Sequence, residues 1–227
     1  MIISNTHRAI FVHVPKTAGT SITALFEPAL RWNDLVLGGT DFGERLDVAY
    51  RERFGLNKHM WARDIRRTVG DAVWTDYFSF AFVRHPYHRL VSFYNWQRTA
   101  VSRAAPDSPI WSWPAAEAYR RSPSFSELIR DQTFLTSRAG RPQAEWVCDE
   151  EGRCIVDFVG RFEQLGAAIE TVATRLGLPS GHLGVHNASA ADRPPGELLQ
   201  DEADYEFLHD VYRRDFELFD YDPALRL

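Results

Sequence analysis

Two stretches of this 227-residue chain hold the residue types that bind and act on an anion. The first is Ile10-Phe11-Val12-His13-Val14-Pro15-Lys16-Thr17-Ala18-Gly19-Thr20-Ser21-Ile22. Lys16 brings a full positive charge. The backbone N–H groups of Thr17, Ala18, Gly19, Thr20 and Ser21 bring converging donors if the loop opens a helix, and that combination holds a phosphate or a sulfate. In the second stretch, residues 77–94, Arg84 can grip a phosphate through two parallel N–H bonds, and the Ser92 hydroxyl can donate a third. Between the two lies His59, in the junction Leu56-Asn57-Lys58-His59-Met60, where an imidazole can take a hydroxyl proton near neutral pH. Glu44 and Glu52, in the same interval, are the competing bases, although charges at such positions ordinarily form the solvated face of a helix.

These side chains need elements to carry them. Ile10, Phe11, Val12 and Val14 form a short apolar run that suits a parallel strand covered on both faces, and Pro15 ends it because it cannot donate to a ladder. Gly19 permits a close backbone approach, and Thr20 or Ser21 is the expected cap of a helix carrying Ile22, Leu25 and Phe26 on one face. Phe78–Val83 reads as a second strand and Pro86 as the first turn of a helix, which puts Arg84 at a strand's C-terminal end, where open α/β sheets bind ligands.

The spacing is not the nucleotide-triphosphatase loop G-x-x-x-x-G-K-S/T, since Lys16 precedes Gly19. Pro-Lys-Thr-Ala-Gly-Thr-Ser resembles instead the 5′-phosphosulfate loop of sulfotransferases that use 3′-phosphoadenosine-5′-phosphosulfate (PAPS), in its carbohydrate-type and related bacterial form. Residues 77–94 resemble the 3′-phosphate motif of the same family, with Arg84 and Ser92 at the matching positions. The resemblance implies one sulfotransferase domain over residues 1–227, a P-loop-like α/β fold with a central parallel sheet flanked by helices, and transfer of a sulfuryl group from PAPS to a hydroxyl. The product would be 3′-phosphoadenosine 5′-phosphate (PAP), and the chemistry calls for no metal. Lys16 and His59 are then the catalytic candidates. Some hydroxyl-directed members place a general-base His in the interval of His59, and others use a carboxylate, which keeps Glu44 and Glu52 in play.

Two rivals stand beside this reading: a P-loop-like kinase or phosphotransferase, and a non-catalytic module that binds PAPS or PAP. The missing Walker Lys-Ser/Thr pair weighs against the first. Turnover separates the second.

A net charge of −5 and a pI near 5.9 argue against general nucleic-acid binding, so an anionic ligand must meet a local positive cluster. No metal-ligand spacing, secretory leader or membrane-length apolar run is present, and a cytoplasmic, bacterial enzyme is expected. Cys148 and Cys154 read as two reduced thiols. Residues 101–123, rich in Pro and bearing Trp111 and Trp113, read as an irregular acceptor-side loop for a small-molecule, carbohydrate or lipid hydroxyl.

The remaining pattern predicts an amphipathic helix over 41–54 with Phe42, Leu46, Ala49, Tyr50 and Phe54 on its apolar stripe, and a helix over 61–69. Trp146–Cys148 and Cys154–Asp157 read as paired strands, followed by a strand over 158–163 and a helix over 164–176. Val185–Ser189 reads by default as a polar turn, where the resemblance suggests a loop over the nucleotide, and the apolar stripe Tyr205, Leu208, Val211, Tyr212, Phe216 and Phe219 predicts a last helix over 202–219.

Overall fold

The computed structural model describes residues 1–178 and 193–227. The chain opens with β1 (Ile2–Ser4), β2 (Ala9–Val12), α1 (Gly19–Phe26) and β3 (Leu35–Val36). Three helices follow, α2 (Asp41–Phe54), α3 (Ala62–Val69) and α4 (Asp71–Asp76), then β4 (Phe78–Val83). Next come α5 (Pro86–Arg103), α6 (Pro114–Arg121), α7 (Phe125–Arg130), α8 (Gln132–Thr136) and α9 (Ala144–Val147). The chain finishes with β5 (Phe158–Arg161), α10 (Leu165–Leu176), α11 (Pro195–Leu198), α12 (Glu202–Val211) and α13 (Arg213–Phe219). Its contacts divide it into two compact units, one of residues 1–84 and 143–187, the other of 85–142 and 188–227.

The first unit holds a five-stranded mixed sheet in the order β3-β1-β2-β4-β5. Its β2-β4-β5 section is parallel, as the βα pattern of the sequence requires, while β1 pairs antiparallel with both β2 and β3. Phe11, Phe80 and Phe82 project to one face and pack with Ile22, Leu25 and Phe26 of α1 and Ile169 and Val172 of α10. Phe11 and Phe80 stack at 5.3 Å. Each buried side chain of this size stabilises the unit by about 1.5–3 kcal/mol. Ile10, Val12, Ala81 and Val83, on the other face, are buried as well, which explains why the strands read as continuous apolar runs.

Register between β4 and β5 is pinned by a polar pair inside this apolar frame. The Asp157 carboxylate accepts from both the N–H and the hydroxyl of Ser79, at 2.8 and 2.9 Å. At Gly160 of β5, a Cβ would fall 2.8 Å from the Phe82 ring and 2.9 Å from Ala168 Cβ, so only Gly lets α10 lie this close to the strand.

Several local expectations change. Residues 41–54 are the expected helix, but its inward residues are Gly43 and Asp47, whereas Phe42 and Phe54 are 69% and 65% exposed. Residues 144–147 form α9 rather than a strand, and Cys148 and Cys154 meet only through an isolated antiparallel bridge. They form no disulfide. Residues 109–112 form a 3₁₀ turn and 114–121 form α6, so the stretch 101–123 is more regular than its Pro content suggested.

In the second unit, Arg89 is buried and donates to the carbonyls of Ala139 and Arg141 at 3.0 and 2.8 Å, so it braces a loop rather than facing solvent. Asn95 brackets the backbone of Arg193, donating to its carbonyl at 2.9 Å and accepting its N–H at 3.1 Å. The expected last helix breaks at Tyr212 into α12 and α13. The turn expected over Val185–Ser189 lies outside the described residues.

Candidate active site

β2 and β4 are parallel neighbours, with Val12 opposite Ala81, so the segments leaving them emerge at one edge of the sheet. That edge carries the 13–19 loop and Arg84, the arrangement expected of an α/β ligand site.

Lys16 and Ala18 both have left-handed backbone, with φ of 69° and 79°, and Thr17 between them does not. Alternating handedness turns successive N–H groups to one side and makes a concavity that suits an anion. Non-glycine residues at positive φ are uncommon, and two in one short loop mark a backbone held in shape by its surroundings. One such hold is the buried Thr17 hydroxyl, which donates to the Val14 carbonyl at 2.9 Å.

The helix starts two residues earlier than a Thr20 cap would place it, and three earlier than a Ser21 cap. Its N-cap is Ala18, which has no side-chain oxygen, and no side chain caps the first turn. No acidic residue lies in that turn. The positive end of α1 therefore faces the loop without a built-in anion, which is what a bound phosphate group would supply. Ser21 is buried in α1 and Thr20 is exposed at its start.

The group that approaches Gly19 is the His13 ring. A Cβ at Gly19 would lie 1.8 Å from His13 Nε2. His13 also stacks on Phe11 at 5.4 Å and meets the His59 ring at 4.5 Å. Although the residue as a whole is only partly buried, its ring is packed among these neighbours. Burial, and then the neighbouring basic groups of His59, the N-terminus, Lys58 and Lys16, push its pKa well below the usual imidazole value.

His59 Nδ1 lies 2.9 Å from the His13 carbonyl. A carbonyl can only accept, so Nδ1 carries the hydrogen, and a neutral ring then has its basic lone pair on Nε2. The His59 N–H donates to the buried Asn57 side chain at 3.1 Å. Glu44 is engaged elsewhere: Lys58 Nζ donates to its two oxygens at 2.8 and 2.7 Å, and the Gly39 N–H donates at 3.1 Å. Desolvation raises the Glu44 pKa, but these hydrogen bonds and the Lys58 charge outweigh it and leave the carboxyl below its usual value. Glu52 is exposed on α2.

Arg84 is partly buried, and its guanidinium stacks over the Phe162 ring at 4.3 Å. Stacking fixes the plane of the fork, and an anion is gripped in that plane. Ser92 is the seventh residue of α5, in the second unit, and is partly buried. Lys16, residues 17–21, His59 and Arg84 all belong to the first unit, and Ser92 lies on α5 in the second.

Reading the sequence passed over His13, Asn57, Asp47 and Gln143. His13 had a visible signal: it is the one ionisable residue in the apolar run Ile10–Val14, close to the strand's C-terminal end.

In residues 101–123, the Trp111 indole donates to the Ala105 carbonyl at 2.7 Å, which gives it a local structural task. Trp113 stacks nearly parallel on Trp96 at 6.1 Å, and both are 38% exposed. Among the described residues, no group of His, Cys, Asp or Glu is placed to hold a metal ion, and no helix is long and apolar enough to cross a membrane.

A sequence model of the sulfotransferase family matches residues 1–222 of the 227. No curated protein and no solved structure matches the chain.

Proposed function

Because this chain belongs to the sulfotransferase family, we propose that it transfers a sulfuryl group from PAPS to a hydroxyl acceptor, with Lys16 and His59 as its catalytic residues. The observation that carries the donor reading is the alternating-handed Lys16-Thr17-Ala18 loop at the mouth of the uncapped α1. The donor, when bound, supplies a sulfuryl group already joined to a phosphate leaving group.

The chain's own work is positioning and charge stabilisation, as in phosphoryl transfer. The N–H groups of residues 17–21 hold the 5′-phosphate, and Lys16 stabilises the charge that grows on the leaving oxygen. Arg84, oriented by Phe162, holds the 3′-phosphate that distinguishes PAPS from ATP. For Ser92, the support remains its place in the motif of residues 77–94. His59 takes the acceptor proton at Nε2, since its Nδ1–H is committed to the His13 carbonyl. Glu44, paired with Lys58, is poorly suited to that task. We assign acceptor recognition to residues 101–123, where the exposed Trp113 and its partner Trp96 offer flat apolar surface to a sugar or another hydroxylated ring.

Calorimetric titration with PAP, ADP and AMP tests the donor site. Tight binding of PAP alone is the expected result, whereas ADP binding as tightly as PAP would favour a phosphotransferase. Labelled PAPS offered with sugars, lipids and phenols then finds the acceptor. PAP binding with no turnover on any of them would leave a binding module.

A further inference from the structure

We infer that Asp47 is the positioning residue for His59: from inside α2 it fixes the main chain at Lys58 and thereby keeps His59 Nε2 as the ring's proton acceptor. The inference deepens the reading of His59 as the general base and rests on it for its catalytic meaning.

α2 is built against ordinary expectation. A helix normally buries its large apolar residues, yet here Phe42, Val48 and Phe54 are exposed while Asp47 is 1% exposed. A buried carboxylate costs several kcal/mol unless it is well partnered, and an apolar residue of the same volume often serves stability as well or better. Asp47 has specific partners. Its carboxylate accepts the Lys58 backbone N–H and an Arg51 guanidinium N–H.

Lys58 is held twice by the same helix. Asp47 takes its main chain, and Glu44, one turn earlier, takes its ammonium group at 2.7 Å. On the other side of His59's amide, Asn57 Oδ1 accepts the His59 N–H at 3.1 Å. The backbone on which His59 sits is therefore tethered at consecutive residues. The visible result is the 2.9 Å bond from His59 Nδ1 to the His13 carbonyl, three residues before Lys16. That bond sets the tautomer, and an imidazole's partner at one nitrogen decides which other nitrogen is basic.

Long-range ¹H–¹⁵N spectra of the imidazoles in the full chain, taken where His59 is neutral, read the tautomer without any substrate. The wild type is expected to show His59 with its hydrogen on Nδ1. In Asp47→Ala, and in Asp47→Leu, which keeps the heavy-atom count and branching and removes the acceptor, the signal moves toward the Nε2–H form that free imidazole side chains prefer. Asp47→Asn, which retains a carbonyl oxygen for the Lys58 N–H, keeps the Nδ1–H form. The Leu variant also guards against an Ala variant that does not fold.

Turnover supplies the second readout. Asp47→Leu should lower kcat about 10–100-fold, the usual scale for a group acting through a first-contact ligand or base, while PAP affinity stays within about twofold. In the background of His59→Ala the same substitution should cost nothing further. An unchanged His59 tautomer in Asp47→Leu, or losses that simply multiply in the double variant, overturns the inference. Full activity of His59→Ala overturns the base assignment instead, and the tautomer spectra still decide whether Asp47 sets the ring.

Discussion

The side-chain amide of Gln143 closes a two-bond ring with the backbone of Arg84, accepting its N–H at 2.9 Å and donating to its carbonyl at 2.7 Å. Gln143 is fully buried, and Arg84 is the first residue beyond β4. A chain leaving a parallel strand loses its ladder partners at that point, and the amide replaces them. Gln143→Ala should remove both of these bonds to the Arg84 backbone, at about 0.5–1.5 kcal/mol each. Denaturant unfolding should show the loss as a lower midpoint. PAP affinity should fall with it, because the guanidinium swings from a less fixed backbone.

Arg84→Ala should weaken PAP binding by about 2–4 kcal/mol, the scale for removing a charge-assisted partner of a held anion. AMP, without the 3′-phosphate, should lose much less. Calorimetry on both nucleotides checks this, and equal losses would remove Arg84 from its proposed role.

For Lys16→Ala the expected damage lies in kcat. Charge on the leaving oxygen develops mainly in the transition state, so PAP affinity should change far less than turnover. A variant with a normal kcat and only a raised KM would contradict the assignment.

His59→Ala should reduce kcat by roughly 10²–10⁴-fold with little change in PAP affinity. In the wild type, kcat should fall toward acid pH as the imidazole takes up a proton and loses its lone pair. That acid limb should be absent from the residual activity of the variant.

Gly19→Ala forces a Cβ into the His13 ring and should destabilise the protein by about 1–3 kcal/mol, the cost of overpacking. Combining it with His13→Ala should recover most of that loss, since the clash disappears. Thermal unfolding of the single and double variants separates this contact from generic helix effects.

The depressed pKa of His13 makes a prediction with a definite sign. Between its folded value and the ordinary 6.5, the unfolded chain binds a proton that the folded chain refuses. Stability should therefore decline as pH falls below about 6.5, with a slope from this group approaching ~1.4 kcal/mol per pH unit. His13→Phe keeps a flat ring in place and should flatten that part of the stability curve.

What was legible in the sequence follows from how local each signal is. Phe78–Val83, the Pro86 helix start and the Lys16 loop announce themselves within a few residues, through composition, a fixed φ and a strand-loop-helix pattern. The supports of the site are different in kind. Gln143 reaches Arg84 across 59 residues, and His59 reaches His13 across 46. No local pattern encodes such pairs. Asp47 was hidden by a regularity that did exist: Phe42, Leu46, Ala49, Tyr50 and Phe54 do recur at helical spacing, but that stripe does not decide which face of α2 turns inward. His13 was masked in the same way, by an apolar run that made it look like part of a strand ending one residue earlier.

The way the strands are spread along the chain has a consequence for how the protein is made. β4 can pair with β2 as soon as both have left the ribosome, but its other edge waits for β5 and for Asp157 just before it, which meets Ser79 across 78 residues. In the meantime the chain must produce residues 85–142, which belong to the other unit. Throughout that interval the Phe-Ser-Phe-Ala-Phe-Val edge of β4 is an uncharged, aromatic template without its partner. Long-range parallel pairing is slow to form, and an unfinished edge of this composition is where nascent chains associate with one another. The yield of active protein should thus depend on synthesis rate and on chaperones that cover β4 until β5 arrives.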